Sequence, residues 1–212
     1  MPRLVSTRIE LEAGALAQLR EAIGRDAPAF RPRLDGPFEV LELAQAYFPT
    51  HRILEVVATS EPVRRVVVAM GPVGVRVLTG HVEHLHAMID VERVHEVLGP
   101  RERAAAYAEA ADAWTRAADD ELVLDDFSEI PWRADLDAAA QQQIARLETM
   151  YASDIEPAIM RHTYTGWERR FFVVSGQRLI DRRLQIPMDG KLRPEDEVVA
   201  EDLPVERAAP GR

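Results

Sequence analysis

The sequence predicts an α+β fold, in which three or four helices cover one antiparallel sheet formed by a central meander and a C-terminal hairpin. Three observations support this prediction. Valine-rich segments separated by turn residues fill the middle of the chain, stretches with helical spacing of apolar residues surround them, and a strand–turn–strand pattern lies near the C-terminus. At 212 residues, the chain is long enough to bury a sizeable core. We expect one domain over 1–202 and an extended polar tail over 203–212.

The N-terminal quarter predicts a strand, a helix and a loop. Residues 3–10 suit a short strand, and 12–24 suit a helix that ends at Gly24. Three prolines make 26–37 a loop. The next segment, 38–48, fits a helix by its apolar spacing, although its character is ambiguous.

The middle of the chain predicts a three-stranded antiparallel meander over 53–59, 64–70 and 73–78, because turn residues separate its valine-rich runs. Helices are predicted over 90–98, 101–118 and 135–150. Ser153 and Glu156 have the spacing of a capping box, which predicts a further short helix to about Met160.

The C-terminal hairpin is predicted over 167–174 and 177–186, with its turn at Ser175-Gly176. This register places Arg170 opposite Asp181, a favourable charge pair, and Arg169 opposite Arg182. Arg169 and Arg182 carry like charges, so this second pair needs a negatively charged partner.

Two hypotheses provide that partner. A small anion could bind at Arg169, Arg178 and Arg182, because guanidinium groups match phosphate and carboxylate geometry. Alternatively, acidic residues from 119–126 or Asp135 and Asp137 could lie against the hairpin. Residues 82–160 carry 18 acidic and 6 basic residues (−12), and 161–193 carry 3 acidic and 8 basic residues (+5). This asymmetry favours the acidic partner.

Four of the six histidines, His81, His84, His86 and His95, fall within fifteen residues. A divalent metal site built from His84, His86, His95 and Asp90 is one hypothesis, since zinc needs three or four converging ligands. Only two of the first three histidines share a face in either a helix or a strand. Ordinary surface histidines are therefore the favoured interpretation, and no cofactor is predicted.

Composition excludes several classes. The net charge of −10 argues against nucleic-acid binding, which needs a basic face. The absence of cysteine excludes disulfides and thiolate chemistry. No secretory signal or membrane-length apolar run is present, so we expect a cytoplasmic protein. Of 26 basic residues, Lys191 is the one lysine, and asparagine is absent, which indicates a GC-rich, bacterial genome.

These observations favour a non-catalytic protein-interaction or assembly component of a bacterial system, binding a protein partner or forming a homo-oligomer. No catalytic motif is present, so an enzyme is the less favoured class. The alternatives are a metal-dependent enzyme that uses the His81–His95 cluster and a protein that binds a small anion at the three arginines.

Overall fold

The computed structural model describes residues 5–60, 64–90, 94, 98–116 and 121–206, and these residues form two antiparallel sheets and four α-helices. The α+β class is therefore confirmed. Packing divides the chain into two compact units, 1–119 with 188–192 and 120–187 with 193–211. The predicted meander and hairpin lie in separate sheets. None of the helices in the described ranges is long and apolar enough to cross a membrane.

The first unit contains a five-stranded sheet in which every strand pairs with its sequence neighbour. The predicted meander forms β3, β4 and β5 of this sheet. Its strands are β1 (Ser6–Arg8), β2 (Phe38–Leu43), β3 (Arg52–Ala58), β4 (Arg64–Gly71) and β5 (Gly74–Val77).

The helix predicted over 38–48 is wrong, because residues 38–43 form β2 and pair on both sides, with β1 and with β3. Phe38 and Val40 alternate along this strand, and both pack into the core. Alternation with period two buries one strand face, so the strand satisfies both the apolar side chains and the backbone hydrogen bonds.

Three helices whose bounds the structure describes belong to the first unit. The first helix packs Leu19, Ala22 and Ile23 into the core formed with the sheet. The third buries a face of small and aromatic residues that includes Tyr107 and Trp114. The bounds are α1 (Ala13–Asp26), α2 (Val82–His86) and α3 (Arg101–Thr115). Of the helix predicted over 90–98, Val94 and Leu98 are helical and buried, and 91–93 and 95–97 lie outside the described residues.

The second unit contains a sheet in the order β10–β9–β8, with β6 and β7 sharing the other edge of β8. Helix α4 (Ala138–Tyr151) packs Leu147 into a core with Phe172. The strands are β6 (Glu121–Leu124), β7 (Ile159–Thr163), β8 (Gly166–Ser175), β9 (Arg178–Pro187) and β10 (Arg193–Ala200).

The short helix predicted from Ser153 to Met160 is wrong. Helix α4 ends at Tyr151, and Ile159 begins β7, which pairs with β8 from Arg170 back to Gly166. Pairing along the free edge of β8 supplies the backbone hydrogen bonds that a helix would otherwise supply.

The C-terminal hairpin is confirmed, but its register differs by two residues. Ser175 pairs with Arg178, so Gly176 and Gln177 form the turn. Gly176 has φ +58°, a left-handed conformation that glycine adopts at no steric cost. Arg169 consequently lies opposite Leu184.

The segment predicted as a polar tail begins with packed residues. Leu203 and Val205 are buried in the core of the second unit, and Val205 forms a β-bridge with Trp132. The backbone N–H of Leu203 donates to the carbonyl of Gln177 at 2.9 Å. Residues 207–212 lie outside the described part of the chain.

Candidate functional site

A cavity of about 210 Å³ lies in the first unit. Its walls come from the loop after β2, the segment after α2, helix α3 and residue 190. Most of the lining is apolar, which is typical of small-molecule sites. The described lining residues are Ala46, Tyr47, Phe48, Pro49, Thr50, Met88, Ile89, Asp90, Val94, Leu98, Tyr107 and Gly190.

The loop over 44–51 is held in shape by the side chain of Gln45. Its Oε1 accepts from the backbone N–H of Tyr47 at 2.7 Å and of Phe48 at 2.8 Å. Its Nε2 donates to the carbonyls of Phe48 and His51, both at 3.0 Å. One amide thus satisfies four backbone groups that lack a strand or helix partner. This arrangement fixes the wall that carries Tyr47 and Phe48.

Aromatic rings form a second feature of this wall. The Tyr47 ring meets the Tyr107 ring edge to face, with centroids 5.3 Å apart, and the Phe48 ring lies 6.3 Å from that of Tyr107. Trp114, which is 1% exposed, contacts both loop rings. Edge-to-face pairs are favourable because a positive ring edge meets a negative ring face. The rings therefore attach the loop firmly to α3.

Tyr107 and Gly190 form the polar contact in the cavity wall. The phenol O–H of Tyr107 donates to the carbonyl of Gly190 at 3.1 Å. Burial raises the pKa of Tyr107 far above its usual value, with a smaller contribution from the charge of Asp189. This phenol therefore stays neutral and acts as a hydrogen-bond donor. Gly190 has φ +75°, and a Cβ there would overlap Cγ2 of Val94.

Polar groups at the exposed side of the cavity are Thr50 and Asp90. The hydroxyl of Thr50 lies 3.0 Å from Nδ1 of His51. Burial, and secondarily the Arg76 guanidinium, lower the pKa of His51. Among the described lining residues, Asp90 is the one group that carries a charge at neutral pH. The cavity therefore offers an apolar interior with polar groups toward solvent.

Among the described residues, the predicted ligands His86 and Asp90 do not join His84 in a group that could hold a metal ion. Nε2 of His86 lies 2.7 Å from the carbonyl of Leu192, and Asp90 lines the cavity. His95 lies outside the described residues. His84 instead stacks on His81, with ring centroids 4.9 Å apart. The spacing of the histidines in the sequence identifies the segment that contains them, but it does not identify which imidazole rings meet. The backbone turn before α2 determines those contacts.

The three arginines of the predicted anion site are separated by their interactions. Arg182 is 7% exposed and forms ion pairs with Glu121 and Asp196, both at 2.7 Å. Arg178 is exposed at the start of β9, and the Arg169 guanidinium lies 5.1 Å from the centroid of the Phe171 ring. Carboxylates therefore neutralise Arg182, as the acidic-segment hypothesis expects of Glu121, and an anion is not needed there.

Sequence reasoning missed the cavity. Its described walls come from 46–50, 88–90, Val94, Leu98, Tyr107 and Gly190, which are far apart in the chain, and none of them carries a binding motif. Gly190 is the one local feature of the sequence that marks a position in the cavity wall. Comparison with known proteins provides no further guide, because no protein-family model, no curated protein and no solved structure matches this chain.

Proposed function

We propose that this protein is a non-catalytic binding protein that holds a small, largely apolar molecule in the cavity between the 46–50 loop and Tyr107. The observation that carries the proposal is the cavity itself, which has an apolar lining in a unit that otherwise has a packed core. Concave, mostly apolar pockets with a few polar groups are typical of small-molecule sites. The pocket of about 210 Å³ has this character, and Gln45 holds one of its walls in shape.

The size of the cavity limits its ligand. Pockets for drug-sized molecules measure roughly 300–1,000 Å³, so about 210 Å³ suits a single ring or a short branched chain. The lining also requires a polar atom on the ligand. The hydroxyl of Thr50 can form a hydrogen bond with such an atom at the exposed side of the cavity. We therefore propose a small aromatic or aliphatic alcohol as the ligand class.

The chemistry of the lining supports binding without catalysis. A general acid or base works best with a pKa near the operating pH. Tyr107 is kept neutral by burial, and its proton is donated to the Gly190 carbonyl. Asp90 lies at the exposed side. The lining thus supplies shape and hydrogen bonds.

Methionine-methyl NMR tests the proposal directly. Met88 lines the cavity, and Met150 is 61% exposed on α4, so the second methyl is an internal reference. Titration with p-cresol and with cyclohexanol is expected to shift the Met88 methyl resonance saturably and to leave that of Met150 in place. A linear, unsaturable response of Met88, or no response to either probe, would contradict the proposal.

Two matched variants sharpen this experiment. Ala46 is exposed and lines the cavity opening, so Ala46→Phe is expected to block entry without disturbing buried packing. Ala44→Phe places the same side chain at an exposed position outside the cavity lining. Binding should be lost in the first variant and retained in the second.

The interaction or assembly role predicted from the sequence remains a broader proposal of the same non-catalytic class. A protein that binds a small molecule can pass that signal to a partner, and the exposed Tyr164 and Met188 side chains are available for contacts. Size-exclusion chromatography with light scattering, with and without p-cresol, tests whether the mass of the particle depends on the ligand. A single mass equal to that of one chain under both conditions argues against self-assembly.

A further inference from the structure

We propose that His81, Glu83 and His84 form a binding site for a divalent transition metal such as Zn²⁺. Each of these residues offers one ligand atom, and the three atoms lie within 4.8 Å of one another. Two imidazole nitrogens and one carboxylate oxygen are a donor set that zinc accepts, with solvent in the fourth position. The site differs from the cavity, whose lining includes none of these three residues.

Local structure explains why these side chains meet. Gly80, with φ +81°, turns the chain after β5. The backbone N–H of His84 then donates to the carbonyl of His81 at 3.1 Å, so the two residues are one helical turn apart. Residues at i and i+3 share a face of a helix, and the imidazole rings stack with centroids 4.9 Å apart. Glu83, the residue before His84, reaches the same point.

His84 is oriented as a metal ligand. Its Nδ1 lies 2.6 Å from the carbonyl of Val77. A carbonyl can only accept, so Nδ1 carries the proton and Nε2 keeps its lone pair. Metal-binding histidines typically show this pattern, with the other ring nitrogen donating to a carbonyl or carboxylate that fixes the tautomer and the ring orientation. This contact is independent of the clustering and points to a ligand at Nε2.

His81 has a complementary arrangement. Its Nε2 lies 3.0 Å from the carbonyl of Asp26, and its Nδ1 lies 2.9 Å from Oε1 of Glu83. Nε2 is therefore a donor, as Nδ1 is in His84. A metal ion takes the place of the proton between Nδ1 and the Glu83 carboxylate, and that proton is released to solvent. Each histidine thus has one nitrogen fixed by a backbone carbonyl and one nitrogen directed to the metal.

The carboxylates of Glu83 and Asp26 provide the negative charge at the site. The side chain of Glu83 is 64% exposed, which leaves the site open to solvent and gives the metal a route of entry. The Asp26 carboxylate lies close enough to interact electrostatically with both histidines. It is held by the Arg25 guanidinium at 2.7 Å, so it acts as an outer charge and not as a fourth ligand.

Metal titration of tag-free, EDTA-treated protein tests the inference, with Zn²⁺ followed by calorimetry and Co²⁺ by its visible spectrum. We expect one equivalent of Zn²⁺ to bind with micromolar or tighter affinity near neutral pH, and a Co²⁺ spectrum of low coordination number. His84→Ala should weaken Zn²⁺ binding by at least about 10- to 100-fold, the range seen for disrupted metal-site partners. Absence of micromolar binding overturns the inference.

Two further variants separate a ligand role from a structural role. His86→Ala removes the neighbouring histidine of α2, whose Nε2 lies against the Leu192 carbonyl, and Zn²⁺ affinity should stay within about two-fold of wild type. Glu83→Gln changes an exposed carboxylate and should preserve the fold while weakening Zn²⁺ binding. If Glu83→Gln and a folded His84 variant both bind Zn²⁺ like the wild type, the inference is wrong.

Discussion

Arg182 and Glu121 form a buried ion pair in which Nη1 of the guanidinium lies 2.7 Å from Oε2 of the carboxylate and Nη2 lies 3.1 Å from Oε1. Their side chains are 8% and 7% exposed. Asp196 accepts two further hydrogen bonds from Arg182. One guanidinium therefore links β6, β9 and β10, and it is neutralised within its own unit.

Removing Arg182 is expected to destabilise the protein strongly. Arg182→Met removes the guanidinium that pairs with the buried Glu121 carboxylate, and breaking a buried pair in this way costs about 3–5 kcal/mol. Chemical denaturation followed by circular dichroism measures the free energy of unfolding. Arg178→Met, at an exposed position of the same strand, is the control and should stay within about 0.5 kcal/mol of wild type.

A second variant distinguishes charge burial from lost packing. Combining Arg182→Met with Glu121→Leu replaces both partners of the pair and should recover part of the lost stability, since apolar replacement of a buried pair is often tolerated. Phosphate should not raise the melting temperature beyond a general salt effect. A specific, saturable stabilisation by phosphate that depends on Arg182 would show that the guanidinium binds anions after all.

Gln45 is expected to control both the stability and the cavity. Gln45→Ala removes the partner of two backbone N–H groups and of the His51 carbonyl, while the Phe48 carbonyl keeps its bond from the N–H of His51. The expected loss of stability is about 1–3 kcal/mol, with faster amide exchange at Phe48 and weaker binding of p-cresol. Gln143→Ala removes a longer contact, 3.3 Å to the Glu201 carbonyl at the surface, and should change little. Unchanged exchange at Phe48 in Gln45→Ala would contradict this role.

Gly190 is expected to tolerate no side chain. Its φ of +75° costs a residue with a Cβ about 1–2 kcal/mol, and the added carbon would overlap Val94, which adds about 1–3 kcal/mol of overpacking. Gly190→Ala should lower the melting temperature and alter the cavity. Gly74→Ala is the matched control, because φ is +102° there and nothing lies within 4 Å of the added carbon. Equal losses in the two variants would rule out a packing contribution.

The sequence was sufficient for elements whose pattern is local. The meander and the amphipathic helices follow from valine-rich runs and from helical spacing, as in α1, where Leu19 and Ile23 are buried. The alternation of apolar and polar residues does not determine the register of the hairpin. A shift of two residues keeps every side chain on the same face, so alternation fits both registers. The predicted Arg170–Asp181 ion pair also forms, at 2.8 Å. The two residues are not directly opposite but are diagonal neighbours on adjacent strands, so the ion pair is compatible with either register.

The candidate sites depended on contacts that no local pattern contains. The cavity brings Tyr47, Tyr107 and Gly190 together from distant parts of the chain. Histidine spacing identified His84 as a candidate ligand but could not select His81 over His86. That choice depends on the backbone carbonyls of Val77 and Asp26, which the two histidines contact. Edge strands such as β10 were missed because a polar sequence gives no apolar alternation.

His51 is expected to make stability depend on pH. Burial, and secondarily Arg76, lower its pKa in the folded protein, whereas the unfolded chain has the ordinary value of about 6.5. The unfolded state therefore binds more protons below that pH. Stability from His51 is fully present above about pH 6.5 and is lost as the pH falls toward the folded pKa. His81 acts in the opposite direction, because its contacts with the Asp26 carbonyl and the Glu83 carboxylate raise its pKa.

A subtraction isolates the contribution of His51. The free energy of unfolding is measured by denaturant titration between about pH 5 and 8, the range in which histidine titrates, for wild type and for His51→Gln. The contribution of His81 is common to both proteins and cancels in the difference. The stability of wild type relative to His51→Gln should fall on acidification, because burial lowers the pKa of His51 in the folded protein. If the free energy of unfolding depends on pH in the same way in wild type and in His51→Gln, the protonation of His51 does not change on folding. A falling difference would show that the half-buried imidazole of His51, in the cavity loop, is held neutral by the fold.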